Sequence, residues 1–380
     1  MVTEFKRIQI GDIGNALMLL AEVYTDARRA LAEFVSNSSD AFDLCRREGV
    51  EDRFVCEIIL EERKDTIGSI IVKDNGIGIP YETLLELPGR VALSFKRGDP
   101  HAKGHKGIGL LAFASFCERM RIITRSHRCL ETYSAEWSRE SLRDPDRYPV
   151  KIELVEEKGK GLRTAGTQVH LLGVSVDKEH QLKKTKLIDF LKSEFAPDLR
   201  QKSYDLVVFD SAGKTAVQPG RYSGILFDPL EIRTPSNEVI SLDIYLTQKR
   251  TSQKLGLFVR GKLVIEDISA HSDFNHDPWT LGHACGEIRC DFLRPITGRA
   301  GGVASGSEWT RFREALIGIE SRLSDRIREV LEEHKSRQAR RIFKELIRLL
   351  PRFGRVLDGI NYRARGPAQG TKGPPSKVER

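Results

Sequence analysis

Residues 26–47 read DARRALAEFVSNSSDAFDLCRR, and this stretch decides how the first half of the chain folds. Leu31, Phe34, Val35, Ala41, Phe42 and Leu44 set apolar or small side chains at helical spacing, with no Pro or Gly among them. The pattern predicts one long helix. Glu33 and Asn37 stand four residues apart, so at ~1.5 Å of rise per residue they share a face, about 6 Å apart along the axis. Asp40, seven residues after Glu33, lies on the same face. Two carboxylates and a carboxamide together make either a solvated surface or, if enclosed, a site that needs a counter-charge. A hydrated magnesium ion (Mg2+) bound to phosphates would supply it, with the Asn37 oxygen as a ligand for a hard cation. Glu33, held near the metal without coordinating it, would accept a proton from an attacking water.

Working outward, 54–62 and 67–73 are rich in β-branched and apolar residues and are split by a polar Arg63-Lys64-Asp65-Thr66, which predicts an antiparallel strand pair. Asp74-Asn75-Gly76-Ile77-Gly78 follows directly. Asp-Asn-Gly suits any tight turn, whereas two glycines flanking one Ile let the backbone pass close to a flat ligand. Asp74, fixed at the strand end, would then accept from an exocyclic amine such as that of adenine. Next comes Gly104-His105-Lys106-Gly107-Ile108-Gly109 ahead of a small, apolar run at 110–116. A glycine-rich loop that opens a helix offers free N–H groups to phosphate oxygens, and Lys106 adds positive charge. It is neither a Walker loop, since no Gly-Lys-Ser or Gly-Lys-Thr ends it, nor a dinucleotide fingerprint. The polar stretch 94–103, with Gly98 and Pro100, has the composition of a lid. Further strands are expected at 120–125, 129–137, 150–157 and 167–172, which gives a mainly antiparallel sheet covered by helices.

With 380 residues, 39% of them hydrophobic, the chain can build two cores. A second α/β unit is expected from a second set of strands at 204–210, 239–247, 255–266 and 286–292. An amphipathic helical region over 308–350 is interrupted at Pro351 and Gly354. The tail 366–380 holds almost nothing to bury and is expected to be disordered. The boundaries drawn are 1–175, 176–307, 308–363 and 364–380. No signal-like N-terminus and no membrane-length apolar run are seen, so a cytoplasmic protein without a membrane partner is expected. The six cysteines are scattered and expected to be reduced. Cys285 and Cys290 with His283 lack a second ligand pair for structural zinc. The net charge of +8 is uneven, since residues 335–380 carry thirteen basic against three acidic residues and the rest of the chain is nearly neutral. That end either binds nucleic acid or an acidic partner, or is a solvated helix and tail.

In order and spacing, 33–41, 74–78, 104–109 and Gly166-Thr167 resemble the four motifs of the GHKL ATPase superfamily, which includes gyrase, heat-shock protein 90, histidine kinases and MutL. The resemblance implies a Bergerat-type α/β sandwich and ATP with Mg2+ as its ligands. It makes Glu33 the general base, Asn37 the metal ligand, with Asp40 beside it, and Asp74 the adenine acceptor with Gly76, Gly78 and Thr167 in support. Gly104, Lys106, Gly107, Ile108 and Gly109 would close over the phosphates. Too few residues precede Asp26 for a kinase phosphoacceptor hairpin, and 24–42 looks most like the corresponding helix of heat-shock protein 90. Residues 257–264 are similar to a strand-turn-strand of MutL and MORC proteins, implying a smaller S5-like transducer. The stretch 290–299 looks like the MORC segment that carries a phosphate-sensing Lys, which would make Arg299 the sensor; otherwise Arg299 is a solvated loop residue. A cation there gains a charge-assisted bond only while the γ-phosphate is present. Together these features imply an ATP-hydrolysing conformational clamp or chaperone-like ATPase that dimerises with ATP and acts on a protein client. The alternative is an ATP-gated protein that binds DNA or RNA through its basic end.

Overall fold

The computed structural model describes residues 11–50, 52–63, 66–90, 108–155, 161–296 and 302–364. The chain opens with α1 (Ile13–Glu22) and the expected long helix, α2 (Ala27–Arg47). The Asp26 side chain accepts from Arg28 N–H and caps α2, and Arg46 and Arg47 complement its C-terminal dipole. Ala27, Leu31, Phe34, Val35, Ser38 and Phe42 form its buried face. Phe42 stacks on Phe54 with ring centroids 5.0 Å apart.

Then follow β1 (Val55–Arg63), β2 (Thr66–Asp74), α3 (Tyr81–Glu86), β3 (Cys117–Arg125), β4 (Tyr133–Ser138), α4 (Arg139–Arg143), β5 (Lys151–Leu154), β6 (Gly166–Val174), α5 (Val176–Leu182), α6 (Lys184–Glu194), α7 (Ala196–Arg200), β7 (Asp205–Asp210) and β8 (Gly213–Ala216). They make one sheet in the order β5-β4-β3-β6-β2-β1-β7-β8, antiparallel except where β7 runs parallel to β1. Ile58, Leu60, Ile70 and Val72 point from β1 and β2 into a core shared with α2, α6 and α7. This is the helix-covered, mainly antiparallel α/β sandwich of Bergerat type. The strand at 204–210, read from sequence as the start of the second unit, instead extends this first sheet, with Val55 opposite Asp205. The core it joins reaches Val217, and the next one starts at Phe227.

The second unit contains β9 (Ile225–Leu226), β10 (Glu231–Arg233), β11 (Val239–Leu246), β12 (Leu255–Val259), β13 (Lys262–Ile265) and β14 (Ala284–Arg289) in a sheet ordered β10-β11-β14-β12-β13, with β9 on β11. The helices α8 (Ser307–Ile317) and α9 (Glu320–Ala364) follow. Trp309, Phe312 and Leu316 of α8, and Leu323, Ile327 and Val330 of α9, fill the core of this sheet, so the helical segment begins as part of the second unit. α9 runs through Pro351 and Gly354, which sequence reading took as interruptions. A proline there removes one backbone donor, and the helix continues at that cost. Among the described residues no helix is long and apolar enough to cross a membrane.

Ion pairs tie the units together. Arg200 of α7 reaches the buried Glu287 of β14, and Lys262 at the start of β13 reaches Glu33 of α2.

Candidate functional site

The site is built where α2 crosses the end of β2. Asp74 is the last residue of β2 and lies opposite Thr167 of β6. Its carboxylate accepts from the Gly76 N–H at 2.9 Å and from the Ser38 hydroxyl at 3.1 Å. The backbone N–H of Thr167 adds a third donor. Burial pushes the Asp74 carboxyl up to about 6, against the pull of these donors. An acceptor fixed in this way and half-buried is suited to a ligand amine.

The glycines of the following turn have separate reasons. A Cβ on Gly76 would stand 2.8 Å from the Ala41 Cβ of α2, so this turn must lie close against the helix. Gly78 has φ +71°, and a Cβ there would meet the Arg125 carbonyl oxygen at 2.0 Å. What passes close to Gly78 is therefore strand β3 of the same chain, where sequence reading invoked a flat ligand. Gly78→Ala is expected to cost on the order of 3 kcal/mol in denaturant unfolding, combining a left-handed backbone with a clash against backbone atoms. Gly89→Ala, with nothing within 4 Å of its Cβ, is the control and should change little.

Thr167 is buried and its hydroxyl sits 3.2 Å from that of Thr124. Thr124 accepts from Ile79 N–H at 2.8 Å and so holds the turn to β3 and β6. Asn75 fixes the other side, accepting from Val55 N–H and donating to the Arg53 carbonyl.

On α2, Asn37 is exposed, and Glu33 and Asp40 are half-buried. Ile108 is buried, and Gly109 opens a short 3-10 turn, Gly109–Ser115, in which a Cβ on Gly109 would come 3.2 Å from Glu33 Oε2. The end of the glycine-rich loop thus lies against the Glu33 carboxylate. Gly104, Lys106, Gly107, the expected lid and Arg299 lie outside the described residues.

Three groups that sequence reading passed over surround Glu33. Lys262 Nζ donates to Glu33 Oε2 at 3.0 Å, and both side chains are about four-fifths buried (19% and 20% exposed). Burial alone would lower the Lys262 ammonium, but Glu33, then Glu194 and Asp40, outweigh it and hold it above the ordinary lysine range. Tyr24, buried, is hydrogen-bonded to Glu33, and its phenol is raised first by burial and then by that carboxylate. Glu194, at the end of α6, is buried beside them and is pushed up to about 7 by burial, against the opposing pull of Arg29 and Lys262. The sequence signal for Lys262 is a basic residue directly after the Arg260-Gly261 turn, where both residues have positive φ. By itself that reads as any hairpin.

Residues 24–167 match the family described as histidine kinase-, DNA gyrase B-, and HSP90-like ATPases. The chain is similar to the chaperone protein HtpG of Roseobacter denitrificans, 28% identical over 134 residues, covering 30% of this chain and 21% of that protein. The HtpG of Rhodospirillum rubrum is 26% identical over 188 residues, 44% of this chain and 28% of that protein. That of Shouchella clausii is 30% identical over 134 residues, 31% of this chain and 21% of that protein. The matched stretch thus spans little more than a quarter of these relatives at most.

Proposed function

Residues 24–167 form a histidine kinase-, DNA gyrase B- and HSP90-like ATPase domain, and from this premise we propose that the protein binds and hydrolyses ATP and works as a chaperone-like conformational clamp. The observation that carries the reading is the Lys262–Glu33 ion pair, because it sets a cation of the second unit on the carboxylate proposed as the base.

In this reading Asp74 accepts from the exocyclic amine of adenine, while Ser38, Gly76 and Thr167 keep its carboxylate in place. The phosphates extend toward Gly109. The donor set suits a hard cation, since Asn37 offers an exposed side-chain oxygen one helical turn from Glu33. Asn37 would hold Mg2+, which when bound neutralises charge on the phosphate oxygens. Glu33 takes a proton from water as the water oxygen bonds to the γ-phosphorus, and ADP leaves with the electrons of the broken P–O bond.

Lys262 would serve as a phosphate sensor, the role that the resemblance implies for Arg299, which lies outside the described residues. Its ammonium would gain the γ-phosphate as an additional anionic partner, holding the two units together until hydrolysis removes it. Pairing of two copies with ATP also belongs to this proposal. In its support, Ile342, Phe343 and Leu346 lie exposed on α9, an apolar strip of the kind that a second helix covers.

The test is ATP turnover by the purified chain with Mg2+, alone and with unfolded protein, DNA or RNA added. Stimulation by unfolded protein is expected. Stimulation by nucleic acid alone would favour the DNA- or RNA-binding alternative through the basic end, and no turnover under any condition would overturn hydrolysis.

A further inference from the structure

The Glu33 Oε2 lone pair that accepts from Lys262 Nζ at 3.0 Å is engaged, and it is not open to a proton from water until Lys262 moves. The γ-phosphate draws on the same ammonium, and a second carboxylate beside Lys262 would help to release Glu33. Glu194 Oε2 is buried, with the residue 7% exposed, and has no hydrogen-bond partner among the described residues. An orphaned buried carboxylate oxygen is costly. α6 packs against β13, whose first residue is Lys262, and the Glu194 carboxylate adds to the negative charge that holds the Lys262 ammonium up. The lysine stem is flexible, and its three donors can be redirected by bond rotation alone.

We propose that Glu194 is a positioning residue, the alternative acceptor for the Lys262 ammonium, and that its ionisation draws Lys262 from Glu33 and frees the base. The inference rests on the ATPase reading above. The charged groups acting on Glu194 are Asp26, Arg29 and Glu33 from α2 and Lys262 from β13. α6 also meets α5, α7 and β7, where the shared core offers Leu182, Leu199, Leu206 and Val208, together with Asp198, which already binds Ser39 and Tyr204. Glu194 raised to about 7 is neutral in mild acid and leaves Lys262 on Glu33; above that value it is charged and competes for the ammonium.

Turnover at saturating Mg2+-ATP is therefore expected to rise about tenfold between pH 6 and pH 8 in the wild type, with KM little changed over that range. Glu194→Gln keeps the shape, removes the charge and should hold kcat at the acid level across the range. Glu194→Asp should restore the rise. A purely structural role would move the thermal midpoint and leave the pH profile alone, so an unchanged profile in Glu194→Gln overturns the proposal.

A second reading needs no hydrolysis. Without nucleotide, an amine-specific acylating reagent should label Lys262 at least about threefold faster in Glu194→Gln than in wild type at pH 9, since one of the three carboxylates holding the proton is gone. Equal labelling overturns the pairing even if the wild type proves inactive, whereas faster labelling with no turnover in either protein would remove only the ATPase reading.

Discussion

Glu33→Gln is expected to lower ATP turnover by about 10²- to 10⁴-fold, the usual contribution of a general base, while ATP remains bound. Glutamine keeps the length of the side chain and its contact with Gly109 but cannot take the proton of the attacking water. The folded state should tolerate the change. Lys262 loses one carboxylate partner at 3.0 Å, yet Glu194 and Asp40 still act on it, and its side chain retains 19% exposure. The stability cost is expected to fall below the ~3–5 kcal/mol of a fully buried pair broken on one side. Phosphate release and nucleotide titration, measured on the same preparation, separate the two effects. A normal rate would move the base to another residue.

Asp74→Asn should fail in the other half of the cycle, at binding. Replacing a charged acceptor by a neutral one is worth about 1.5–3 kcal/mol, a loss of roughly 10- to 150-fold in affinity for ATP. The variant should also relax discrimination, because an asparagine amide can donate to the carbonyl that guanine carries where adenine has its amine. In the wild type the same carboxyl makes binding depend on pH. The free protein holds Asp74 at about 6, and a bound amine favours its ionised form, lowering that value. Affinity is therefore full above 6 and declines by up to about tenfold per unit as pH falls below it. Asp74→Asn should show no such decline. The effect appears in KM below pH 6, whereas the one assigned to Glu194 appears in kcat near 7, so one set of profiles resolves both.

How much of this was legible in the sequence follows from the range of each interaction. α2 could be read because a helix is written in its own periodicity, and the β1–β2 pair because a short polar turn separates two apolar runs. Gly76 and Asp74 sit on that local frame. β7 was misassigned because its partner, β1, lies some 150 residues earlier, Val55 opposite Asp205, and an apolar strand does not announce which sheet it enters. Lys262 was missed for the same reason, with 229 residues between it and Glu33. Ser38 was not singled out in the sequence, and its hydroxyl donates to Asp74. Gly78 was read as making room for a flat ligand, whereas its missing Cβ makes room for the Arg125 carbonyl of β3. Glu194 carries no sequence signal, because burial alone separates it from any other glutamate at a helix end.

At the heart of the proposal, Asp74 recognises adenine and the phosphates of the same nucleotide reach Glu33. Calorimetric titration of the wild-type chain with ATP and with GTP, in Mg2+ at pH 8, tests it most directly. A carboxylate built to accept from an amine rejects a carbonyl in its place, so ATP should bind at least about a hundredfold more tightly than GTP. Equal affinity for the two nucleotides, or ATP binding that is unchanged in Asp74→Asn, would contradict it.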